Sequence, residues 1–543
     1  MDTNYYGILR GIELPLPKYM NIDVFNFNKL QYYNNLNASI PPLKLLFDVR
    51  ESNNITFDNP YKIEDIEILN NITIKGNSII NVTHKGKKQK LECYLKVTHL
   101  IDPVQNIKGE ASMERINNPM NQAYVESVAS WMLGKLKYEN ICPHFNLFYG
   151  AFTATASKYN YNVTDEIETH RMYNWFWSSI EKKLIDIYIE GDDEEQKKEL
   201  YDEIMEKPDY CLDNETDQVE ELNINSKETD SDSIHSLRTV SISEELSDDI
   251  DNSENSENNS DDDDDDDDED ECNVFLTFKN FPVMMILTEK NTSTLDELLT
   301  NYEEVGANPG ETLWEEKWCA WLFQVIAALC VAQTLFGFTH NDLHSNNIVW
   351  SETNELYLYY KMNNGTLFKV PTYGKIFKII DFGRSIFSIN NKTFISDDFD
   401  EGNDAATQYN FPPLSHDSDR TVVYPNPSFD LARLSISIFE SIFPEKPDEK
   451  NDGNIISDEE NRIIKETKSD LFNILWLWLI DTDGKNILWD DDNNERFPDF
   501  ELYVHIAEKC KNGIPKEQLY KKPFSNFIVK SINKNQKIYS LFC

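Results

Sequence analysis

Apolar and polar residues alternate in some stretches of the chain and recur at helical spacing in others. Residues 71–101, NITIKGNSIINVTHKGKKQKLECYLKVTHLI, predict strands joined by a glycine-containing turn, and residues 273–288, NVFLTFKNFPVMMILT, predict a further strand. The spacing in NPMNQAYVESVASWMLGKL predicts a helix that begins near Pro119. From residue 312 onward the pattern is mostly helical, with a strand pair around 348–380. This order predicts a small β-rich lobe followed by a larger α-rich lobe.

The most apolar segment is CAWLFQVIAALCVAQTLFGF, residues 319–338, whose length would nearly cross a bilayer. Gln324 and Gln333 lie within it, the acidic Glu315 and Glu316 precede it, and it has no cluster of basic residues that would set an orientation. These features favour a buried helix of a globular protein over a membrane span.

The composition changes most abruptly between about 160 and 272. Residues 212–271 contain 26 Asp and Glu against two basic residues, so they carry −24 of the formal net charge of −45. Such a segment cannot bury enough apolar surface to fold, and we expect it to be disordered. The stretch just before it, RMYNWFWSSIEKKLIDIYIEGDDEEQKKELYDEIMEK, has helical apolar spacing and predicts one or two helices.

The net charge excludes some classes of binding partner, and the cysteines indicate the redox state of the compartment. The net charge of −45 argues against general binding of nucleic acid or of an anionic membrane surface, because the protein's field repels phosphate. The eight cysteines are scattered without a CxxC pair, which indicates a reducing compartment. Since no secretory signal is visible at the N-terminus, we expect an intracellular, cytoplasmic protein. Serines followed by acids in the acidic segment predict sites for an acidophilic host kinase.

Two acidic residues follow apolar elements in a way that suggests phosphoryl transfer. In FTHNDLHSNNIVW, residues 338–350, Asp342 and Asn347 come directly after the apolar segment, and in KIFKIIDFGRS, residues 375–385, Asp381 ends an apolar strand. Transfer of a phosphoryl group from a nucleotide needs one carboxylate for the acceptor hydroxyl, another for Mg²⁺, and a further hard oxygen ligand. Asp342, Asp381 and Asn347 match these roles.

These two motifs resemble those of the protein kinase superfamily. The family's catalytic loop, His-Arg-Asp-Leu-x-x-x-Asn, is matched by His340, Asp342, Leu343 and Asn347, and its Asp-Phe-Gly by residues 381–383. The form DLHSNN and the 39-residue separation of Asp342 from Asp381 are similar to haspin-type atypical kinases. This form of the kinase motifs also looks like that of the serine/threonine protein kinases of large DNA viruses. That resemblance would place the protein in a host cell or a virion.

The resemblance implies further roles along residues 60–543. Lys96, in ECYLKV, fits the lysine that pairs with the nucleotide's α- and β-phosphates, and Glu126 fits its helix partner. The hinge that binds adenine is expected near Thr288 to Lys290, with Glu289 and Lys290 as nucleotide contacts. Asp430, in YPNPSFDLARLSISIFES, resembles the aspartate that anchors the catalytic loop backbone, and His340 is expected to support that loop.

The sequence departs from the family's pattern at several positions. In place of the glycine-rich loop it has KGNSIINV, with Gly76 alone ahead of Val82, and we assign both residues to nucleotide binding. Tyr94 stands where the family has a small alanine against adenine, and Asn341 replaces the arginine that reads a phosphorylated activation loop. His344 takes the position of a lysine and is assigned to the catalytic group as a contact of the γ-phosphate.

The resemblance implies an α+β, bilobal protein kinase-like fold, with a small β-rich N-lobe and a larger α-helical C-lobe. Residues 1–60 would be an N-terminal extension and residues 61–158 the first part of the N-lobe. Residues 159–272 would be an insertion whose second half is acidic and disordered. Residues 273–290 would form the last N-lobe strand with the hinge, and residues 291–543 the C-lobe.

The implied activity is transfer of the ATP γ-phosphoryl group to Ser or Thr hydroxyls of protein substrates, with ATP and Mg²⁺ as cofactors. Asp381 and Asn347 would hold the metal. Two alternatives stay open: a small-molecule kinase, which HNDLHSNN alone would permit, and a pseudokinase that binds partners without catalysis, which the loss of the glycine-rich loop favours. The oligomeric state is open.

Overall fold

A computed structural model describes residues 33–543 except 39, 41, 44–56, 58, 69–74, 110–112, 192, 209, 213–271, 390, 404, 413, 415–419, 460–462, 491–493 and 499. The chain forms two compact units. The main unit comprises Met1–Ile101, Ser112–Thr155 and Pro282–Cys543, and the small unit comprises Asp102–Ala111 and Ala156–Phe281. Most of the predicted N-terminal extension and the acidic run lie outside the described residues.

The fold is a mixture of helices and sheets of the α+β class. The first sheet has the strand order β1-β5-β7-β4-β3-β2, and β6 pairs with β7 beside this path. The strands are β1 (Tyr33–Asn37), β2 (Tyr61–Ile68), β3 (Lys75–His84), β4 (Lys87–His99), β5 (Phe148–Asn162), β6 (Ile185–Glu190) and β7 (Asn273–Glu289).

Helix α2 (Gln122–Tyr138) is buried along most of its length in the core of the main unit. Asn121 caps it by accepting a hydrogen bond from the backbone of Ala123, so the helix begins three residues after the predicted start at Pro119. A side chain at Gly134 would lie 2.9 Å from Cβ of Phe148, and this close approach requires glycine.

The small unit holds the residues that precede the acidic run. Its helices are α1 (Pro103–Lys108), α3 (Ile167–Arg171), α4 (Asn174–Glu181) and α5 (Glu194–Ile204). The prediction of one or two helices in residues 171–207 is confirmed by α4 and α5, and between them Ile185–Glu190 forms β6, which pairs antiparallel with Asn273–Phe278 of β7. The alternating isoleucines of IDIYIE fit a strand, and the sheet edge of β7 provides its partner.

The rest of the main unit is mostly helical. Its helices are α6 (Leu295–Thr300), α7 (Tyr302–Val305), α8 (Thr312–Phe336), α9 (Phe429–Ile442), α10 (Asp470–Trp478), α11 (Glu501–Lys509) and α12 (Pro515–Gln518).

Short strands interrupt these helices. They are β8 (Ser293–Thr294), β9 (Ile348–Glu352), β10 (Tyr357–Lys361), β11 (Leu367–Pro371), β12 (Lys375–Ile379), β13 (Ile386–Ile389), β14 (Lys392–Ile395), β15 (Ile455–Asp458), β16 (Ile463–Lys465), β17 (Ile528–Val529) and β18 (Ile538–Ser540). The predicted strand pair around 348–380 is confirmed. Strands β9 and β12 pair antiparallel, with Ile348 opposite Ile379 at one end and Glu352 opposite Lys375 at the other. Between them, β10 and β11 form a second sheet with the order β17-β11-β10-β18.

Helix α8 is the apolar segment noted in the sequence. Among the described residues it is the one helix long and apolar enough to cross a membrane, and 89% of its most apolar window is buried inside the protein. Its glutamines have partners, which explains why they are tolerated there. Gln324 donates to the backbone of Lys375 and accepts from that of Phe377, and Gln333 donates to Pro427. The polar side chains of α8 therefore fix β12 and the start of α9.

Candidate active site

Three charged side chains from distant parts of the chain meet in the main unit. Lys96 on β4 places its Nζ 2.8 Å from Oε1 of Glu126 on α2 and 2.8 Å from Oδ2 of Asp381, which follows β12. The Glu126 side chain is 7% exposed, whereas those of Lys96 and Asp381 are 29% and 39% exposed. The cluster is therefore open to solvent on its Lys96 and Asp381 side.

The cluster contains more negative than positive charge. Burial alone would lower the pKa of Lys96, but the carboxylates of Asp381 and Glu126 outweigh it and raise that pKa above its usual value. Burial raises the pKa of Glu126, and Asp381 adds to this effect while Lys96 opposes it. Two carboxylates thus share one ammonium group, and an added cation would be stabilised beside Asp381.

Asp381 is held at the end of its strand by the loop that contains Asp342. The backbone N–H of Ile380 donates to the carbonyl of Asn347 at 3.0 Å, and the ring of His340 bonds to the carbonyl of Ile380 at 2.8 Å. The supporting role predicted for His340 is thereby confirmed. Asp381 itself has φ of +61°, a conformation that a non-glycine residue keeps only where its surroundings impose it.

Asp430, near the start of α9, anchors the backbone of the loop that follows α8. This carboxylate accepts hydrogen bonds at 3.0 Å from the backbone N–H groups of His340 and Asn341. Asp430 is fully buried, and the predicted contact with the loop backbone is confirmed. The anchor holds the two residues that directly precede Asp342.

Asn347 has its side chain oriented by the same loop. Its amide nitrogen donates to the backbone carbonyl of Asp342 at 2.8 Å and lies 3.0 Å from Nε2 of His344. A carbonyl only accepts, so this contact assigns the amide nitrogen to the inner side and turns the carboxamide oxygen away from Asp342. Burial lowers the pKa of His344, and the neighbouring Asp342 opposes this shift, so the imidazole is neutral at pH 7 and accepts the Asn347 hydrogen bond.

Asp342 is partly buried, with its side chain 24% exposed, and its neighbours keep it ionised. Burial would raise the pKa of its carboxyl, but Arg384, with Arg433 and the hydrogen bond from Tyr503, outweighs burial and lowers it. The hydroxyl of Tyr503 on α11 donates to Oδ1 at 2.8 Å, and an Arg384 nitrogen lies 3.6 Å from Oδ2. The carboxylate is therefore an acceptor at neutral pH, as a general base must be.

Sequence reasoning did not identify Tyr503, Arg384 and Arg433 as neighbours of Asp342. Tyr503 lies 161 positions after Asp342, and Arg433 donates to its hydroxyl at 2.9 Å. The one local signal is the position of Arg384 directly after Asp-Phe-Gly, in DFGRS.

Gly76 and Val82 do not join the cluster. Both lie within β3, and neither is part of a turn. In the register of β3 with β4, Lys75 faces Lys96 and Asn77 faces Tyr94, whereas Gly76 faces Leu95 and Val82 faces Gln89. Because cross-strand partners share a face of the sheet, Gly76 and Val82 lie on one face and Lys96 on the other. Gly76 and Val82 therefore cannot flank a ligand that is bound by Lys96. The residues between β2 and β3, 69–74, lie outside the described part of the chain.

Glu289 and Lys290 have their side chains engaged by other residues. Oε1 of Glu289 lies 2.9 Å from the buried ammonium of Lys378, and its Oε2 accepts from the backbone of Leu147. Lys290 pairs with Glu92 at 2.9 Å on the surface. These contacts turn both side chains to protein partners, so the end of β7 can offer a ligand its backbone rather than these groups.

Tyr94 shares the face of Lys96, two positions before it on β4, and pairs across the sheet with Thr288. Its ring is half-buried, and burial raises the pKa of its hydroxyl, with Asp381 and Glu126 adding to this shift. The phenol therefore lies within the field of the charged cluster.

Few protein oxygens near the cluster could hold a metal. Among the described residues, no group of three or more His, Cys, Asp and Glu side chains is arranged to hold a metal ion. Mg²⁺ in nucleotide sites is bound by one or two protein oxygens together with phosphates and water. Asp381 and the outward carboxamide oxygen of Asn347 fit that ligand set.

No protein-family model matches this sequence, and no curated protein is significantly similar to it.

Proposed function

We propose that the protein is an ATP-dependent protein kinase that transfers the γ-phosphoryl group to Ser or Thr hydroxyls of proteins. The observation that carries the proposal is the position of Lys96 between Glu126 and Asp381, at 2.8 Å from each. A lysine and helix glutamate pair beside a metal-binding aspartate is the arrangement that phosphoryl transfer by kinases requires. We also propose the bilobal kinase-like organisation and the lobe boundaries implied by the resemblance.

Asp342 is proposed as the group that orients the acceptor hydroxyl and takes its proton. Its lowered pKa keeps it ionised at neutral pH, and Tyr503 and Arg384 fix its position. A more basic carboxylate would be a stronger proton acceptor, so the charged neighbours favour a positioning role over strong base catalysis. This agrees with phosphoryl transfer, where positioning and charge stabilisation supply most of the rate.

Lys96 is proposed to bind the α- and β-phosphates, and Asp381 and Asn347 to hold Mg²⁺. When bound there, the metal would neutralise the negative charge that develops on the transferring phosphoryl group. The hydrogen bonds of the Asn347 amide nitrogen hold its oxygen in place before any ligand arrives. The neutral His344, whose Nε2 accepts from Asn347, is proposed to donate a hydrogen bond from Nδ1 to the γ-phosphate, which it cannot attract by charge.

One observation favours the pseudokinase alternative. Tyr94, in place of a small residue on the face of Lys96, reduces the room beside Thr288 where the base would lie. An aromatic ring at this position either stacks on the base or excludes it. A protein that excludes the base would keep the charged cluster without turnover.

Phosphotransfer assays and thermal shifts distinguish these functions. We expect ATP with Mg²⁺ to raise the melting temperature and labelled phosphate to pass from ATP to casein or a histone mixture. Transfer only to small amino or hydroxyl compounds would indicate a small-molecule kinase. No shift with ATP in the wild type, together with a clear shift in Tyr94→Ala, would support a base-excluding pseudokinase.

A further inference from the structure

The segment that follows Asp381 returns to the start of α2. After the β13-β14 hairpin, a short 3₁₀ turn at Asp397–Phe399 brings Asp397 to the first residue of the helix. Helix α2 also contains Glu126, four residues after Gln122, so the two lie on one face a turn apart. The turn therefore contacts the element that presents Glu126 to Lys96.

Asp397 joins three parts of the chain through hydrogen bonds. Its Oδ2 accepts from Nε of Arg115 at 2.8 Å, and its Oδ1 accepts from the backbone N–H of Gln122 at 2.8 Å. Its own backbone N–H donates to the carbonyl of Met120 at 2.8 Å. The side chain is 2% exposed, so these bonds are shielded from water.

The Asp-Phe-Gly turn touches the same end of the helix. A side-chain carbon added at Gly383 would lie 3.1 Å from the Gln122 side chain. The start of α2 is thus held both by the turn of Asp397 and by the residues next to Asp381. A shift of the helix would break contacts to both ends of this segment.

The contacts of Asp397 are those that a phosphate on this segment would make. A carboxylate near the first N–H groups of a helix, paired with an arginine, satisfies orphan donors and complements the helix dipole. In many protein kinases a phosphorylated residue supplies this charge. Here the charge is encoded by an aspartate.

Asn341 stands where the kinase motif has an arginine that binds a phosphorylated activation loop, and its side chain is hydrogen-bonded within the protein. Asn341 is fully buried, its amide nitrogen donates to the carbonyl of Arg384 at 2.8 Å, and its oxygen accepts a hydrogen bond from the Tyr409 hydroxyl. These bonds link the catalytic loop to the same segment without a cation. Asn341 therefore fixes the segment and leaves no arginine at this place for a phosphate.

We propose that Asp397 is a positioning residue that holds α2 so that Glu126 stays paired with Lys96 without phosphorylation of the segment after Asp381. The inference rests on the proposed function, because it assigns a purpose to the Lys96 and Glu126 pair. It adds that the active arrangement is the resting state of the protein.

The test compares Asp397→Asn with a matched control, Glu459→Gln. Glu459 is also 2% exposed, pairs with Arg496 at 2.6 Å and accepts a backbone hydrogen bond from Asn486 at 2.6 Å, but it does not contact α2. Both variants remove one charge from a buried arginine pair. Hydrogen exchange of the α2 amides 122–128 is measured without substrate, and kcat and KM are measured for a protein acceptor.

In Asp397→Asn we expect the α2 amides to exchange about tenfold faster than in the control. We also expect kcat to fall about tenfold while KM for the acceptor changes less than about twofold. Equal exchange of α2 in the two variants would overturn the proposal. The hydrogen-exchange result tests the role of Asp397 independently of activity. A wild type that transfers no phosphate would contradict only the proposed function.

Two further measurements guard against a variant that fails to fold. Arg115→Gln removes the partner of Asp397 and should speed α2 exchange in the same way. Phosphatase treatment of the wild type should leave the transfer rate and α2 exchange unchanged. A rate lost on dephosphorylation and recovered on rephosphorylation would show that a phosphate, rather than Asp397, sets the helix.

Discussion

At the scale of single residues, the site separates two aspartates by their surroundings. Asp342 is 24% exposed and held between Tyr503 and Arg384 in the loop after α8, whereas Asp381 is 39% exposed and paired with Lys96. A carboxylate positioned by a tyrosine and an arginine suits an acceptor hydroxyl, and one beside a phosphate-binding lysine suits a metal with its phosphates. Their amide variants should therefore fail in different ways.

We predict that Asp342→Asn keeps binding of Mg-ATP and loses transfer, by about 10²-fold or more, since its carboxylate is assigned to the acceptor alone. Asp381→Asn should lose transfer and also the magnesium dependence of nucleotide binding. Thermal shifts with ATP, with and without Mg²⁺, and a phosphotransfer assay measure both. Wild-type turnover in both variants would show that the chemistry lies elsewhere.

Asp430 provides a second prediction at this scale. Both of its oxygens accept backbone N–H bonds, and an amide in its place would turn an NH₂ group toward one of those donors. We expect Asp430→Asn to lower the free energy of unfolding by about 1–3 kcal/mol. Chemical denaturation gives the value, and Asp448→Asn, at an exposed carboxylate beside Lys468, should show no measurable change. An equal loss in both variants would contradict the anchoring role.

Sequence and structure agree best where a residue acts within its own segment. The loop around Asp342, the buried helix α8 and the contact of Asp430 could be predicted, because their motifs or patterns are local. The face of a strand residue depends on the parity of its register, and the sequence does not show which pairing β3 adopts. Gly76 and Val82 were misplaced for that reason.

At the scale of elements, His144 connects the segment before β5 to β10 and β12. Its Nδ1 bonds to the carbonyl of Phe377 and its Nε2 to the hydroxyl of Tyr360, both at 2.8 Å. A carbonyl only accepts, so Nδ1 carries the proton and Nε2 accepts from the tyrosine. The ring is fully buried in its neutral form.

This histidine predicts a pH dependence of stability. Burial lowers the pKa of His144 to about 3, with the Phe377 hydrogen bond opposing the shift. The unfolded chain takes up a proton near pH 6.5 and the folded chain does not, so stability falls as the pH drops from about 6.5 toward 3, by about 1.4 kcal/mol per pH unit. Denaturation at pH 7.5, 6.5, 5.5 and 4.5 should show a smaller loss for His144→Asn. Parallel profiles for wild type and variant would exclude this origin.

Long-range pairing also limited prediction at this scale. The Glu289 side chain was assigned to a nucleotide, but its ion pair with Lys378 joins β7 to β12, which are far apart in the sequence. The strand β6, between two predicted helices, likewise depends on a partner, β7, that follows the acidic run. In both cases a distant partner determined the local outcome.

At the scale of the whole molecule, negative charge is concentrated in one stretch. Residues 212–271 hold −24 of the net −45, and they lie almost entirely outside the described residues. Leu212 is the exception: it is buried, and its backbone bonds to Met172 and Asn174 in the small unit. A deletion of the acidic segment that spares this leucine therefore begins at residue 213.

We predict that replacing residues 213–271 by a short Gly/Ser linker leaves the melting transition and the nucleotide-induced shift unchanged, since acidic and polar residues dominate the segment and it contains no Phe, Tyr or Trp. Differential scanning calorimetry checks both. A deletion extended through Leu212 is the comparison, and it should weaken the small unit because it removes a buried leucine. Loss of the transition in the shorter deletion would show that the acidic segment supports the fold.

The pairing of β10 with β18 has a consequence for the order in which the protein is made. Asn363, just after β10, bonds to Phe542, just after β18, across 179 positions of sequence. At ribosomal rates of about 5–20 residues per second, roughly 10 to 35 seconds pass between the synthesis of these partners. During that interval the strand that separates the two motif-bearing segments has an open edge, which invites pairing with other nascent chains. We therefore expect ribosome-bound chains arrested before residue 528 to recruit chaperones and to be inactive until β17 and β18 emerge.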